Sequence, residues 1–286
     1  MKMKTCIRTI LAVATAFFML GSRPADACTA VIVSGKHTAD GKAVMFKHRD
    51  SSTQKVEIEY FHGEKYRLMG LVNAGWREHP YAMVPPGTPE VWSGMNGTGF
   101  AIINTATYDL KDDDVPSEQM EMEGVVMYRA LEICRTLEDF EHLLDTLSRP
   151  MGVETNFGVI DSQGGAAWYE VNNTRWVKFD VNEEPLGYRV VTNFTQTGRP
   201  QDRKGVDRYE KAREILATTS VPISRWDHEF FIREISCSGA PILRDITNSA
   251  IIFEGDTLWA ALGRPDSVPC LPFRFDDHCR SCGCEQ

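Results

Sequence analysis

Groups of strand-like segments and groups of helix-like segments follow one another along this chain, and their order limits the folds open to it. Apolar, β-branched and aromatic stretches predict strands over 28–34, 43–48, 56–61, 66–72, 99–107, 157–161, 166–171, 176–179, 188–194, 246–253 and 257–262. Apolar residues near helical spacing predict helices over 122–135, 137–147, 207–217 and 226–236. Strands and helices do not alternate one for one, so a doubly wound nucleotide-binding fold is disfavoured. The pattern predicts an α+β architecture of stacked layers with mainly antiparallel sheets.

The composition is that of an ordinary globular protein. The 286 residues are 42% hydrophobic and 25% charged, with no internal repeat and no low-complexity tract. We therefore expect a single domain over 28–286 that ends in a cysteine-rich tail at 270–286. The formal net charge of −9 argues against a nucleic-acid partner, which would call for a basic face. No G-x-G-x-x-G follows a strand and no P-loop occurs, and we expect no cofactor.

The first 27 residues have the three parts of a secretory signal. Basic residues come first, an apolar run follows at 10–20, and Ala25-Asp26-Ala27 supplies an A-x-A cleavage sequence. An apolar run of eleven residues is shorter than the ~18 needed to cross a bilayer, so we expect no transmembrane span. These features predict that residues 1–27 are removed and that a bacterial cell exports the protein to its periplasm or medium.

The predicted cleavage lies directly before Cys28. One interpretation is that cleavage leaves a free thiol and a free α-amine on one residue, which makes a nucleophile that carries its own base. A second is a lipoprotein cysteine, although a lipobox normally has Leu three places earlier, where this chain has Ala25. A third is a disulfide cysteine that happens to come first.

A turn at Asp40-Gly41 predicts a hairpin that returns residues 47–50 toward Cys28. Asp50 can orient the α-amine, and either Lys47 or Arg49 can favour thiolate over thiol. Strand alternation places Asp50 on one face and the two cations on the other. If Asp50 faces Cys28, Arg49 is therefore expected to point away from it.

Six segments, taken in order, resemble the cysteine members of the N-terminal nucleophile hydrolases. They are CTAVIVSGKHTADGKAVMFKHRD (28–50), SGMNGTGFAIINTAT (93–107), NFGVIDSQGGAAWYEV (156–171), VVTNF (190–194), DRYEKAREIL (207–216) and TLWAALGRP (257–265). The resemblance is to the linear-amide group, which includes choloylglycine hydrolases, penicillin V acylases and penicillin acyltransferase-like proteins. It implies a four-layer αββα sandwich and hydrolysis of an amide C–N bond, or acyl transfer. Members of the group often form homo-oligomers.

The resemblance also implies roles for individual residues. Cys28 takes the place of the nucleophile, and Asp50 that of the carboxylate that holds its α-amine. Asn104 and Asn193 take the places of active-site asparagines, whose amides can donate to an oxyanion. Arg208 takes the place of an arginine that supports the cysteine.

This chain departs from the family at one point before Asp50. The family usually has arginine and then asparagine where Lys47 and His48 stand, and the arginine here is Arg49. Arg49 and Trp92 are the candidate substrate-binding residues. The sequence leaves open whether Lys47 or Arg49 is the active-site cation.

The remaining cysteines and the histidines leave alternatives open. Six cysteines besides Cys28 follow the predicted signal, and an even number in an exported protein favours disulfides. Cys134, in an apolar helical stripe, is a candidate free core thiol. The tail offers a zinc alternative through Cys279, Cys282 and Cys284. A Cys–His dyad with one of the histidines is a further alternative; the candidates are His48, His62, His79 and His228.

Together these features predict an exported hydrolase that cleaves a linear N-acyl amide through an acyl-thioester on Cys28. The expected partner is a small N-acyl amide. Two alternatives keep the fold, namely a dipeptidase and an acyltransferase. A third is a non-catalytic binding protein anchored by lipid at Cys28. Aromatic residues in the loops at 75–92 and 108–121 suggest an apolar acyl site, or belong to the core.

Overall fold

Two antiparallel sheets form the centre of the molecule. The computed structural model describes residues 27–53, 55–77, 87–110, 114–116, 119–218 and 226–276. The first sheet has six strands in the order β10-β1-β2-β11-β12-β13. Its strands are β1 (Ala27–Val33), β2 (Val44–Asp50), β10 (Tyr188–Val191), β11 (Thr247–Glu254), β12 (Thr257–Leu262) and β13 (Cys270–Phe273).

The second sheet is a meander of seven strands, in which each strand pairs with the next along the chain. Its strands are β3 (Val56–His62), β4 (Arg67–Asn73), β5 (Ser93–Asn96), β6 (Ala101–Ala106), β7 (Thr155–Ile160), β8 (Ala166–Val171) and β9 (Trp176–Asp180). All pairings between named strands in both sheets are antiparallel.

Helices cover the outer face of each sheet. They are α1 (Glu123–Ile133), α2 (Leu137–Thr146), α3 (Val206–Thr218) and α4 (His228–Phe230), which runs into a π-helical turn, Phe231–Ser236. One apolar cluster joins α1 and α2 to the second sheet, another fills the space between the sheets, and a third joins α3, α4 and the π-helical turn to the first sheet. The predicted four-layer αββα sandwich is therefore confirmed.

The predicted hairpin exists, with a longer connection than a two-residue turn. β1 pairs with β2 so that Cys28 stands opposite Arg49 and Ala27 opposite Asp50. A 3₁₀ turn, Gly35–His37, and further loop residues connect the strands, and Gly41 takes a φ of +76° in that loop. The register brings the tetrad at 47–50 beside Cys28, as expected.

The structure differs from the predictions mainly at short or irregular elements. β5 and β13 were not predicted, because SGMN has no β-branched residue and CLPF contains a proline, which only an edge strand tolerates. The strand predicted over 188–194 ends at Val191, and Asn193 then forms an isolated bridge with Lys204. Part of the helix predicted over 226–236 is π-helical.

The structure does not test the predictions made for the two ends of the chain. Residues 1–26 and 277–286 lie outside the described part, so removal of 1–27 and the single-domain boundary stay predictions. None of the described helices is both long and apolar enough to span a membrane.

Candidate active site

Cys28 lies on β1, with its backbone held by two side chains from elsewhere in the chain. Its N–H donates to Oδ1 of Asn193 over 2.9 Å, and its carbonyl oxygen accepts from Nη1 of Arg208. Nη2 of Arg208 donates to the same Oδ1 over 2.8 Å. The structure thus brings together Cys28, Asn193 and Arg208, three of the site residues predicted from the sequence.

The orientation of the Asn193 amide follows from its partners. A guanidinium and a peptide N–H can only donate, so the atom that faces them is the amide oxygen. Nδ2 of Asn193 points the other way and donates to the carbonyl of Ala106 over 2.6 Å. Asn193 therefore presents an acceptor to the backbone nitrogen of Cys28.

Gly205 leaves the space that the Arg208 guanidinium occupies beside Cys28. Gly205, one residue before α3, has a φ of +76°, a conformation that favours glycine. A Cβ there would overlap the guanidinium of Arg208. The turn before α3 therefore depends on glycine for both conformation and space.

Two cations share the face of β2 toward which the Cys28 side chain points. Residues directly opposite each other in an antiparallel pair project to the same side, so Arg49 accompanies Cys28, and Lys47 does so by alternation. Nζ of the buried Lys47 donates to Oδ1 of Asn104 over 2.8 Å and to the carbonyl of Trp92 over 2.6 Å. Both candidate cations therefore lie on the thiol side.

Arg49 and Trp92 also contact each other on this face. The guanidinium carbon of Arg49 lies 5.4 Å from the centre of the Trp92 ring, and its Nη2 donates to Oδ1 of Asn73 over 3.2 Å. Asn73 ends β4 and Trp92 directly precedes β5, so Arg49, like Lys47, connects the first sheet to the second.

Asn104 on β6 reaches the site through Lys47. Because an ammonium only donates, the amide oxygen of Asn104 must face Lys47, and Nδ2 is left as its donor side. Nδ2 lies 3.4 Å from Oγ1 of Thr155, a long hydrogen bond. Asn104 thus has a fixed amide orientation with a weakly engaged donor.

The electrostatics of the thiol combine opposing effects. Burial is the largest influence and raises the pKa of the Cys28 thiol, and Asp50 raises it further. Lys47, then Arg49 and Arg208, act to lower that pKa, but they do not overcome the burial. The thiol in the uncleaved chain is therefore protonated at neutral pH, and attack through sulfur requires a base.

Asp50 lies on the opposite face of β2 from the thiol. It stands opposite Ala27, and its carboxylate accepts from Oγ1 of Thr247 over 2.6 Å and from Nη1 of Arg244 over 3.2 Å. The sequence expectation that Asp50 and Arg49 would not share a face is correct. The sequence expected Arg49 to point away from Cys28 if Asp50 faced it, and the structure has the opposite arrangement, in which Arg49 shares the face of the Cys28 side chain and Asp50 does not. Arg49 lies on the side of the sulfur, and Asp50 lies opposite the residue that precedes the backbone nitrogen.

A cleft of about 270 Å³ opens beside Ala27. Lys204, Arg208 and Arg244 contribute positive charge to its lining, and Asp207 contributes the opposite charge. Tyr108 also lines it, with the Nζ of Lys204 4.9 Å from the ring centre.

Of the other loop aromatics, the two that the structure describes, Trp76 and Trp92, do not line this cleft. Trp76 belongs to the apolar cluster under α1 and α2, where its Nε1 donates to Glu59, so it is a core residue. Trp92 packs against the cluster between the sheets. Tyr81 lies outside the described residues.

The described histidines form no hydrogen bond to the Cys28 thiol. The ring nitrogens of His48 contact Ser236 and Thr247, and His228 contacts Glu254. His62 ends β3 in the other sheet, and His79 lies outside the described residues.

The remaining cysteines form no disulfide within the described part of the chain. Cys134 is buried under the helices of the second sheet, as expected for a core thiol, and Cys237 and Cys270 are unpaired. The zinc candidates Cys279, Cys282 and Cys284 lie outside the described residues. In the ranges that are described, no three metal-ligating side chains converge.

Two residues at the site were not anticipated from the sequence. Arg244 and Thr247 both contact Asp50, although they lie nearly two hundred positions away in the chain. No motif marks them, because their position depends on a bulge between Thr247 and Ser249 in β11.

Comparisons with known proteins bear on the fold. No known family profile matches the sequence, and no curated protein matches it. Among solved structures, an ortholog of N-acylethanolamine-hydrolysing acid amidase from Caenorhabditis elegans aligns with a TM-score of 0.57 at 13% identity, over 79% of this chain and 92% of that one. Penicillin V acylase from Agrobacterium tumefaciens aligns with a TM-score of 0.53 at 12% identity, over 87% of this chain and 86% of that one.

These similarities extend over most of each chain and arise at low sequence identity. They show a common architecture of stacked sheets and covering helices. The chain therefore has the fold of this acid amidase and this acylase, which is the N-terminal nucleophile hydrolase fold that the sequence resemblance implied.

Proposed function

We propose that this protein is an exported hydrolase that cleaves a linear N-acyl amide through Cys28 after removal of residues 1–27. The observation that carries the proposal is the environment of Cys28. Its backbone nitrogen is held by Asn193, its carbonyl by Arg208, and its side chain shares a face with two cations. The fold shared with an acid amidase and an acylase supports the same class of reaction.

The α-amine created by cleavage is the proposed base. In the uncleaved chain the nitrogen of Cys28 is a peptide N–H, which cannot accept a proton. Once the 27–28 bond is cut, the lone pair of the nitrogen is no longer delocalised into a carbonyl group and can accept a proton, and Oδ1 of Asn193 can keep the amine oriented. The amine then takes the proton from Sγ as Sγ attacks the substrate carbonyl carbon, and the C=O pair moves to oxygen.

Asn104 is the proposed donor to that oxyanion. Lys47 fixes its amide oxygen, so Nδ2 is the side that can turn toward a substrate oxygen. Asn193 is already oriented with its oxygen toward Cys28, and its role here is to position the amine. Asn104 and Asn193 therefore have different proposed roles, the first toward the oxyanion and the second toward the α-amine.

The intermediate collapses with transfer of the proton. The α-ammonium gives its proton to the departing nitrogen, the C–N bond breaks, and the acyl group remains on Sγ as a thioester. Water then attacks the thioester carbonyl and gives a proton to the α-amine. When the C–S bond breaks, that proton returns to sulfur, and a carboxylic acid leaves.

The charge of the cleft favours an N-acyl amide over a free dipeptide. A dipeptidase that reads a free amino terminus needs carboxylates around the ammonium of its substrate. We take the cleft beside Ala27 as the substrate site because Asn193 and Arg208, which hold the backbone of Cys28, line it. This cleft instead carries Lys204, Arg208 and Arg244 against one acid, Asp207. Positive lining repels an ammonium group, so we place the dipeptidase second.

The first experiment is the intact mass and N-terminal sequence of the protein exported by a bacterial host. A start at unmodified Cys28 supports the proposal. A diacylglyceryl modification, a disulfide at Cys28 or a start elsewhere would contradict it, because each removes the thiol or the base.

The second experiment compares substrates on that processed protein. N-acylethanolamines and N-acyl amino acids are offered beside free dipeptides, with and without an added acceptor amine. Hydrolysis of the N-acyl compounds, lost in Cys28→Ser, is the expected result. Turnover of dipeptides alone would favour the dipeptidase, and acyl transfer to the amine would favour the transferase.

A further inference from the structure

A buried chain of hydrogen-bonding groups lies behind Asp50, on the side of the first sheet that the helices cover. Oγ1 of Thr247 lies 2.6 Å from Oδ1 of Asp50, and Nε2 of His48 lies 3.0 Å from Oγ1 of Thr247. Nδ1 of His48 lies 3.2 Å from Oγ of Ser236. All four side chains are buried. Nothing in the proposed chemistry uses His48, Thr247 or Ser236.

The direction of each hydrogen bond follows from what the groups can donate. Thr247 has one hydroxyl proton, and a carboxylate only accepts, so that proton lies between Thr247 and Asp50. The hydroxyl oxygen accepts from the backbone N–H of Arg244 over 2.9 Å and from Nε2–H of His48. Nδ1 of His48 lies 3.2 Å from the hydroxyl of Ser236, which donates to it when the ring proton is on Nε2.

The four side chains of this hydrogen-bonded set come from three parts of the fold. His48 and Asp50 alternate on one face of β2, and Ser236 ends the π-helical turn. The bulge between Thr247 and Ser249 in β11 sets the Thr247 hydroxyl opposite Asp50. Bulges and π-helical turns often re-aim side chains at functional sites. Here both irregularities contribute to one set of contacts that ends at Asp50.

We propose that His48 and Thr247 are positioning residues, which hold Asp50 so that its carboxylate faces the α-amine of Cys28. The inference rests on the proposed function, because that amine exists only after cleavage. Asp50 stands opposite Ala27, so removal of Ala27 leaves the new amine beside the strand position of Asp50. The hydroxyl of Thr247 fixes the carboxylate, and His48 fixes that hydroxyl.

This arrangement has a measurable electrostatic consequence. A carboxylate held near an ammonium raises the pKa of that ammonium, and loosening the carboxylate lowers it. We call the contacts of His48 and Thr247 with Asp50 the relay. Charged or titratable groups near Asp50 are His48, 3.5 Å away on β2, Arg244 before β11 and Arg208 on α3, and Lys47 and Arg49 also act on Cys28 from the thiol side. Loss of the Thr247 hydroxyl should therefore lower the pKa of the α-amine and disturb its alignment with the thiol.

The test uses the processed full-length protein labelled with ¹³C at cysteine Cα. The Cys28 signal is assigned by its loss in Cys28→Ser, and its shift with pH follows the α-amine. In Thr247→Val we expect the midpoint to fall by about one pH unit. We expect kcat to fall about tenfold with KM nearly unchanged, since a hydrogen bond to a charged group is lost away from the substrate. His48→Phe should lower the midpoint and kcat in the same way. His48→Gln keeps a hydrogen-bond donor, so its midpoint and kcat should lie between those of His48→Phe and wild type.

Thr257→Val is the matched control. Thr257 also donates to an aspartate, Asp256, but Thr257 begins β12 and Asp256 lies in the β11–β12 turn. The Thr257→Val variant should leave both the pH midpoint of the Cys28 signal and kcat unchanged. Equal midpoints and rates in wild type and Thr247→Val would overturn the relay even if amide hydrolysis is found. A shifted midpoint in a protein that hydrolyses no N-acyl amide would support the relay and reject the proposed function.

Discussion

Lys47 is the residue that most directly connects the nucleophile to the second sheet. It lies on the thiol face of β2 and donates to Asn104 on β6, so one ammonium acts on both the sulfur and the proposed oxyanion donor. Among the charged groups that lower the pKa of the Cys28 thiol, Lys47 has the largest effect. An arginine at this place would offer a fork of donors, whereas lysine offers a point charge.

Removal of that charge should make the thiol harder to ionise. In Lys47→Met, we expect the pKa of the Cys28 thiol to rise by about one unit, because an opposing cation is lost from a buried site. The measurement is the pH dependence of iodoacetamide alkylation of Cys28, followed by peptide mass spectrometry. Lys178→Met, which removes a surface pair with Glu141, is the control and should not change the profile. An unchanged profile in Lys47→Met would contradict the assigned influence.

Asn104 should affect the rate much more than substrate affinity. Replacement with leucine removes the Nδ2 donor while it keeps a similar volume, so the oxyanion loses one hydrogen bond. Loss of one such donor typically costs ~10²–10³ in kcat. Steady-state kinetics on the best N-acyl amide found should show that fall with KM changed little. A variant that kept wild-type kcat would exclude Asn104 from the oxyanion site.

The sequence could nominate these residues, although it could not reveal their contacts. Asn104, Asn193 and Arg208 each lie within a motif, and the structure brings them to Cys28 or its neighbour. The contacts of Asp50 with Thr247 and Arg244 depend instead on strand order and a bulge, which local sequence patterns do not encode.

At the scale of elements, the turn before α3 determines whether Arg208 can reach the nucleophile. Gly205→Ala combines an unfavourable φ with overlap between its Cβ and the guanidinium. Gly41→Ala is a matched control, because Gly41 has the same φ of +76° but open space around a Cβ. We expect both variants to lose about 1–2 kcal/mol of stability in urea unfolding. Only Gly205→Ala should also lose hydrolysis, and equal activity in the two would show that Arg208 is dispensable.

The accuracy of the element predictions follows from how each element is stabilised. β8 and β12 have the predicted bounds, because their side chains alone carry a clear strand pattern. α2 begins at Leu137, as predicted, and a capping box between Thr136 and Asp139 fixes that start. β5 is held by its two neighbours in the sheet, so its own four residues do not identify it. Strands such as β5 form because they pair with neighbouring strands, and the residues of the strand alone do not show which segments will pair.

At the scale of the whole molecule, the layers could be predicted only in outline. The grouping of strands and helices indicated stacked layers, and the four-layer order came from the family resemblance. Neither specified that β1 and β2 lie inside the first sheet, with β10 and β11 on their outer sides. That placement buries Cys28 and Asp50 and surrounds them with partners from distant segments.

The layer contact between α1 and the second sheet also sets how stability depends on pH. Burial, with a smaller contribution from Glu121, raises the pKa of Glu90, before β5, and that of Glu123, at the start of α1, to about 7 in each case. A folded-state pKa above the unfolded value means that the protonated form stabilises the fold. This stabilisation is complete below the unfolded pKa near 4.3 and is lost as the pH rises through 7.

Glu123→Gln should remove most of that pH dependence. Glutamine keeps an amide oxygen that can accept from the backbone N–H of Glu154, as Glu123 does over 3.0 Å, but it cannot ionise. Urea unfolding should show a gain over wild type of roughly 2–3 kcal/mol at pH 8, and a smaller gain of about 1 kcal/mol or less at pH 5. Glu138→Gln, on the exposed side of α2, should give no such gain. If Glu123→Gln and wild type lose equal stability between the two pH values, burial of this carboxyl does not control the fold's response to pH.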